Sequence, residues 1–123
     1  MFRVGGVGSF AAESLVRSGV GKVTLVDFDL VCITNSNRQL QAIKGVVGKP
    51  KASVLAERLR LINPQAEIKS VPWAYDERTS SMLLEGRKRP DYVIDAIDNV
   101  STKCHLLAKC RELSIPIVCS TGA

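Results

Sequence analysis

Three glycines in four positions, Gly5, Gly6 and Gly8, leave backbone N–H groups uncovered by side chains. Ala11, Ala12, Leu15 and Val16 follow at helical spacing, so these glycines open a helix. The start of a helix is its positive end and accepts an anion. Ser18-Gly19 closes that helix, because Gly takes the left-handed closing conformation cheaply. A strand follows over 22–26, and Asp27 ends it nineteen residues after Gly8. Glycine loop, helix, strand and strand-end acid together read as a nucleotide site, with phosphates at the helix start and ribose hydroxyls on the acid. The glycines alone also fit a plain tight turn, and the acid alone a solvated surface. Their register favours the nucleotide.

Other polar residues stand where such a ligand could use them. Asp95 and Asp98 bracket Ala96-Ile97 at a second strand exit. A carboxylate there can hold Mg²⁺ against phosphate oxygens. The plainer alternative is that Asp98 or Asn99 only caps the next helix. Arg38 and Lys51 are the cations nearest in sequence to the loop after Asp27, and Asn35 lies in that loop. Fixed cations stabilise the negative charge spread over phosphate oxygens in phosphoryl or nucleotidyl transfer. Taken singly, each is also an ordinary solvated residue. His105, mid-helix beside Cys104, reads as a surface or satisfied core residue, and Trp73 as cover for a core edge. No Ser-His-Asp order and no activated Cys is visible.

The chain has 123 residues, which suits one domain with a modest core. Its apolar fraction of 46% is ordinary, and no apolar run nears a membrane span. The formal charge of +5 is compatible with a nucleic-acid or nucleotide partner without demanding one. Arg87-Lys88-Arg89 is the densest basic cluster and reads as a solvated loop. The four cysteines, Cys32, Cys104, Cys110 and Cys119, form no C-x-x-C pair, which argues against a zinc ribbon. Cys119 lies in an apolar strand and reads as a buried small hydrophobe.

Positioning these residues takes alternating strands and helices. The periodicity predicts a short helix over 37–43, a helix over 49–62 with Pro50 in its first turn, and a strand over 67–71. A helix over 76–86 capped by Asp76, a strand over 91–98, a helix over 101–113 and a strand over 115–120 follow. That order gives an α/β fold, a doubly wound and mainly parallel sheet of Rossmann-like type with helices on both faces. Gly5 to Gly8, Asp27, Asp98 and residues 120–122 then share the carboxyl edge, where such sheets bind ligands. Residues 1–4 are too few for the full strand that should feed the glycine loop, and the chain stops on a strand exit. It therefore reads as a single nucleotide-binding domain over 1–123, incomplete at both ends.

Five motifs together resemble the ThiF/MoeB/HesA adenylating superfamily, which includes the ubiquitin-activating enzymes. They are Gly5-Gly6-Val7-Gly8-Ser9, Val26-Asp27-Phe28-Asp29, Thr34-Asn35-Ser36-Asn37-Arg38-Gln39, Val47-Gly48-Lys49-Pro50-Lys51 and Asp95-Ala96-Ile97-Asp98-Asn99. The stretch over 31–39, with residues 60–64, most resembles the tRNA threonylcarbamoyladenosine dehydratases. The resemblance implies that the glycines let ATP approach the backbone, that Asp27 binds the ribose, that Asn35, Arg38 and Lys51 hold the triphosphate, and that Asp98 binds Mg²⁺. It implies adenylation of a threonine carboxylate on a modified adenosine in tRNA, followed by ring closure with loss of AMP. It also implies a homodimer for the whole protein, and little activity for these residues alone. Arg3 departs from the family pattern, which has Gly at that position. A side chain there is expected to crowd the tight turn.

Three other functions fit parts of the same pattern. The same adenylation could activate a ubiquitin-like or sulfur-carrier protein. An NAD-dependent oxidoreductase shares the glycine loop and Asp27 but does not need Asn35, Arg38, Lys51 and Asp98 together. A non-catalytic nucleotide-binding module is the third. The compartment stays open: a bacterial cytoplasm and a eukaryotic mitochondrial outer membrane are both consistent with the sequence.

Overall fold

Successive side chains on a strand point to opposite faces, and this alternation sorts the core residues between two pairs of helices. The computed structural model describes residues 1–29 and 49–120. The expected short helix over 37–43, with Asn35 and Arg38, lies outside the described residues, as do Thr121 and Gly122.

Strand β1 (Lys22–Val26) pairs in parallel with β2 (Glu67–Val71), Val23 opposite Ile68. Strand β3 (Val93–Asp95) pairs in parallel with β4 (Ile117–Cys119). Residues 1–4 join the two pairs. Phe2 bridges Val26 on one side and Asp95 on the other, both in parallel. Arg3 N–H donates to the Val26 carbonyl at 2.8 Å and Val26 N–H to the Met1 carbonyl at 2.8 Å. On the other side Phe2 N–H donates to the Ile94 carbonyl at 2.9 Å and Ala96 N–H to the Phe2 carbonyl at 3.0 Å. These residues are too short for a regular strand, as their number suggests, yet they fill the central row. The order across the sheet is β2, β1, residues 1–4, β3, β4.

Helices α1 (Gly6–Arg17) and α2 (Lys51–Ile62) cover one face. Val4, Ala12, Val16, Leu25, Leu55 and Leu59 are the centre of that core. Helices α3 (Glu77–Leu84) and α4 (Val100–Glu112) cover the other face, where Phe2, Val26, Leu84, Val93, Leu106 and Cys110 pack together. Leu25 and Val26 serve opposite cores, as alternation requires, and Phe2 and Val4, two apart, also do, because Arg3 at φ +70° turns the chain between them. This is the doubly wound α/β arrangement that the element order predicts.

Helix ends follow local chemistry. Pro50 is the N-cap of α2, so that helix starts at Lys51 rather than at 49. Asp76 accepts from the Thr79 and Arg78 amides at 2.9 and 2.8 Å, and Thr79 Oγ1 accepts from the Asp76 amide, closing a capping box for α3. That helix ends at Leu84, and Gly86, at φ +84°, opens a short 3₁₀ turn over Gly86–Lys88. Asn99 caps α4 by accepting from the Thr102 amide at 3.0 Å. Arg89, from the basic cluster, donates to the Leu113 carbonyl. Cys119 is half-buried rather than buried, because β4 lies at the sheet's edge with Val118 exposed.

Candidate nucleotide site

The start of α1 stands at the carboxyl edge of the central row. Gly5, its N-cap, offers no side-chain hydrogen bond, and no acid stands in the first turn. Neither a side-chain cap nor a first-turn acid therefore offsets the positive end of this helix. Gly8 lets this helix come close. A Cβ at that position would lie 2.3 Å from the Arg3 carbonyl oxygen.

Asp27, at the exit of β1, is fully buried. Its Oδ2 accepts from the Val4 amide at 2.9 Å, and its Oδ1 from the Asp29 amide at 2.8 Å. The carboxylate thus ties the strand that feeds the glycine turn to the strand beside it. A carboxylate has about four lone-pair sites, so two remain for a ligand hydroxyl.

Arg3 takes φ +70°, in the region that favours glycine. Its side chain does not close the turn. It runs into the hollow beside it, with Nη2 3.3 Å from Asp29 Oδ2 and 3.8 Å from Asp98 Oδ2, and Nε 3.9 Å from Asp27 Oδ2. The guanidinium carbon lies 5.9 Å from the Phe28 ring centroid. Lys51 extends this line of charges, with Nζ 3.8 Å from Asp29 Oδ2. Its side chain is only 6% exposed, so it is not the solvated helix residue of the plainer expectation. The Lys51 amide also donates to the Asp29 carbonyl at 2.9 Å, which fixes the start of α2 against the exit of β1.

A cavity of about 260 Å³ opens beside these groups, lined by Arg3, Asp27, Phe28, Trp73, Tyr75 and Asn99 among others. Phe28 and Trp73 are largely exposed and form apolar walls. Tyr75 packs edge-on against Phe2, with centroids 5.1 Å apart, and its hydroxyl lies 2.9 Å from His105 Nδ1. His105 is thus a satisfied residue, as expected. Burial pushes the Tyr75 hydroxyl well above its usual range, so it stays neutral. Burial likewise raises the Cys110 and Cys119 thiols, which disfavours a thiolate at either.

Asp95 does not share the role of Asp98. It is fully buried, its Oδ1 accepts from the Ile97 amide at 2.8 Å, and its Oδ2 lies 2.6 Å from Lys103 Nζ. Lys103 also donates to the Ser120 carbonyl at 2.8 Å. This buried pair locks β3, β4 and α4 together below the site. Asp98 stays exposed, at 59% of its side chain. Asn99, not Asp98, takes the helix cap, and the Asp98 carboxylate meets Arg3 instead. One exposed carboxylate suits Mg²⁺, which is commonly held by one or two carboxylates together with phosphate oxygens. Among the described residues no group of three or more His, Cys, Asp or Glu gathers as an all-protein metal cage.

The structure therefore brings together Gly5, Gly6, Gly8, Asp27, Lys51 and Asp98 at one edge. Asn35 and Arg38 lie outside the described residues. Arg3 and Asp29 join this line of charges, and the sequence reading gave neither a ligand role. Asp29 was findable: it stands two positions after Asp27, beyond the same strand.

The model of the ThiF family matches residues 4–123. The chain belongs to the ThiF family. Among ThiF-family relatives, the tRNA threonylcarbamoyladenosine dehydratase of Haemophilus influenzae is 46% identical over 121 residues, 98% of this chain and 45% of that protein. The molybdopterin-synthase adenylyltransferase of Salmonella typhimurium is 35% identical over 115 residues, 94% of this chain and 45% of that protein. The crystal structure of Escherichia coli tRNA N6-threonylcarbamoyladenosine dehydratase in complex with ATP superposes with a TM-score of 0.93 at 45% identity, covering 99% of this chain and 49% of that one. This ThiF-family chain spans about half the length of those relatives.

Proposed function

We propose that this chain is the nucleotide-binding half of an ATP-dependent carboxylate-adenylating enzyme whose substrate is threonylcarbamoyladenosine in tRNA. The observation that carries this is the line of charges Lys51, Asp29, Arg3 and Asp98 beside an uncapped helix start, in a fold that matches an ATP-bound dehydratase at 45% identity. The higher identity to the dehydratase than to the molybdopterin-synthase adenylyltransferase favours a tRNA substrate over a carrier protein.

In this mechanism the glycine turn and the α1 amides receive phosphate oxygens. Asp27 and Asp29 accept from the ribose hydroxyls. Lys51, with Asn35 and Arg38, holds the triphosphate, and Asp98 would hold Mg²⁺, which when bound neutralises charge on the phosphates. A threonine carboxylate oxygen attacks the α-phosphorus and pyrophosphate leaves. The acyl-adenylate is then a competent electrophile, and ring closure releases AMP with the former carboxylate oxygen. Fixed cations lower the barrier because negative charge accumulates on the departing pyrophosphate. The whole protein acts as a homodimer.

Calorimetric titration of the chain with ATP and, separately, with NAD tests the nucleotide reading. We expect ATP to bind and NAD not to, and Arg38→Ala and Lys51→Ala each to weaken ATP by at least about tenfold, the cost of a lost charge-assisted contact. Binding of NAD in preference to ATP, untouched by both substitutions, refutes it.

A further inference from the structure

We propose that Arg3 is itself a phosphate ligand of this site and carries part of the charge that a divalent cation supplies, so that nucleotide binding here depends only weakly on Mg²⁺. The inference rests on the nucleotide reading above. A non-glycine residue at φ +70° is uncommon, and for a long side chain the conformation is strained. Here that backbone sends the guanidinium to the exits of β1 and β3, against Asp27, Asp29 and Asp98, while the Arg3 carbonyl meets the glycine turn at Gly8. Its three carboxylate contacts, at 3.3, 3.8 and 3.9 Å, are ion pairs longer than ordinary charge-assisted hydrogen bonds. The fork of five N–H donors is therefore held in place by charge with its donors still available. A guanidinium matches the geometry of phosphate oxygens, and 30% of this side chain faces solvent, where a ligand can reach it.

Charge bookkeeping gives the same direction. Asp27, Asp29 and Asp98 face Arg3 and Lys51, which leaves the cluster one negative charge. Without Arg3 the cluster carries two, and a tetra-anionic nucleotide then needs a metal cation to approach it. With Arg3 in place, a cation already stands 3.8 Å from Asp98, the carboxylate that would hold Mg²⁺.

The test compares ATP dissociation constants in excess Mg²⁺ and in excess EDTA, for the chain as it is and for Arg3→Gly. Glycine occupies this backbone conformation without strain, so the variant is expected to fold. Arg3→Asn, also tolerant of positive φ, is a second variant and should behave alike. The ratio of the constant in EDTA to that in Mg²⁺ should be larger in both variants, by up to about fivefold, the upper range for one exposed ion pair. Equal ratios overturn the inference and leave the nucleotide reading standing. ATP binding that appears only after Arg3 is removed also overturns it, because Arg3 is then a block. No binding by any of the three proteins in either condition refutes the nucleotide reading and the inference with it.

Discussion

Gly8→Ala is the most direct test of how closely α1 must approach the central row. The added Cβ would stand 2.3 Å from the Arg3 carbonyl oxygen and 3.2 Å from its carbonyl carbon. Ordinary contact needs roughly 3.5 Å, so something must move by about 1 Å. The obstacle is backbone, and Arg3 is pinned by its hydrogen bond to Val26 at 2.8 Å. It cannot step aside as a flexible side chain does. Overpacking of this kind costs about 1–3 kcal/mol. Alanine's better helix propensity offsets up to about 1 kcal/mol of that. The net expectation is a loss of about 1–2 kcal/mol, or a fall in Tm of roughly 4–8 °C for a domain of this size. Gly21→Ala is the control, because nothing lies within 4 Å of a Cβ there. That change should stay within about 0.5 kcal/mol of the parent. Thermal melts followed by circular dichroism, with ATP titrations on each protein, read both effects. If Gly8→Ala melts with the parent and binds ATP equally, the close approach of α1 has no energetic consequence and the reasoning fails.

Lys103→Ala should be among the costliest single changes, because it leaves the fully buried Asp95 carboxylate without its cation. Removing one partner of a buried pair costs about 3–5 kcal/mol, and urea unfolding should show a loss near the lower figure because Lys103 is partly exposed. Tyr75→Phe keeps the edge-on contact with Phe2 but removes the hydroxyl that His105 meets at 2.9 Å. A loss of about 1 kcal/mol in urea unfolding is expected. The Asp76 carboxyl is held below its ordinary range, first by the Thr79 amide and also by that of Arg78. A depressed folded-state pKa adds stability above the unfolded carboxyl's pKa, and that stability disappears as pH falls through the folded value. The urea midpoint should therefore fall with acid below about pH 4, and less steeply in Asp76→Ala.

Most of the fold was legible because its signals are local. The period of Ala52, Leu55, Ala56 and Leu59 marks α2, and Asp76 and Asn99 announce caps through chemistry that reaches only two or three residues. The glycine turn, Asp27 and Asp98 could be placed at one sheet edge from the order of elements, and Lys51 was singled out by its nearness in sequence to the loop after Asp27. Their partners were not legible. Whether Asp95 meets a ligand or Lys103 depends on which helix crosses the exit of β3. Whether Lys51 is solvated or buried depends on how the start of α2 docks on Asp29. Sequence spacing also set residues 1–4 aside as too short, whereas strands on both sides supply the hydrogen bonds that hold them in the central row. Arg3 shows the limit most clearly. Its residue type predicted crowding of the turn, but not its partners: the three acids that meet its guanidinium come from the exits of β1 and β3, which only the sheet order brings to one edge.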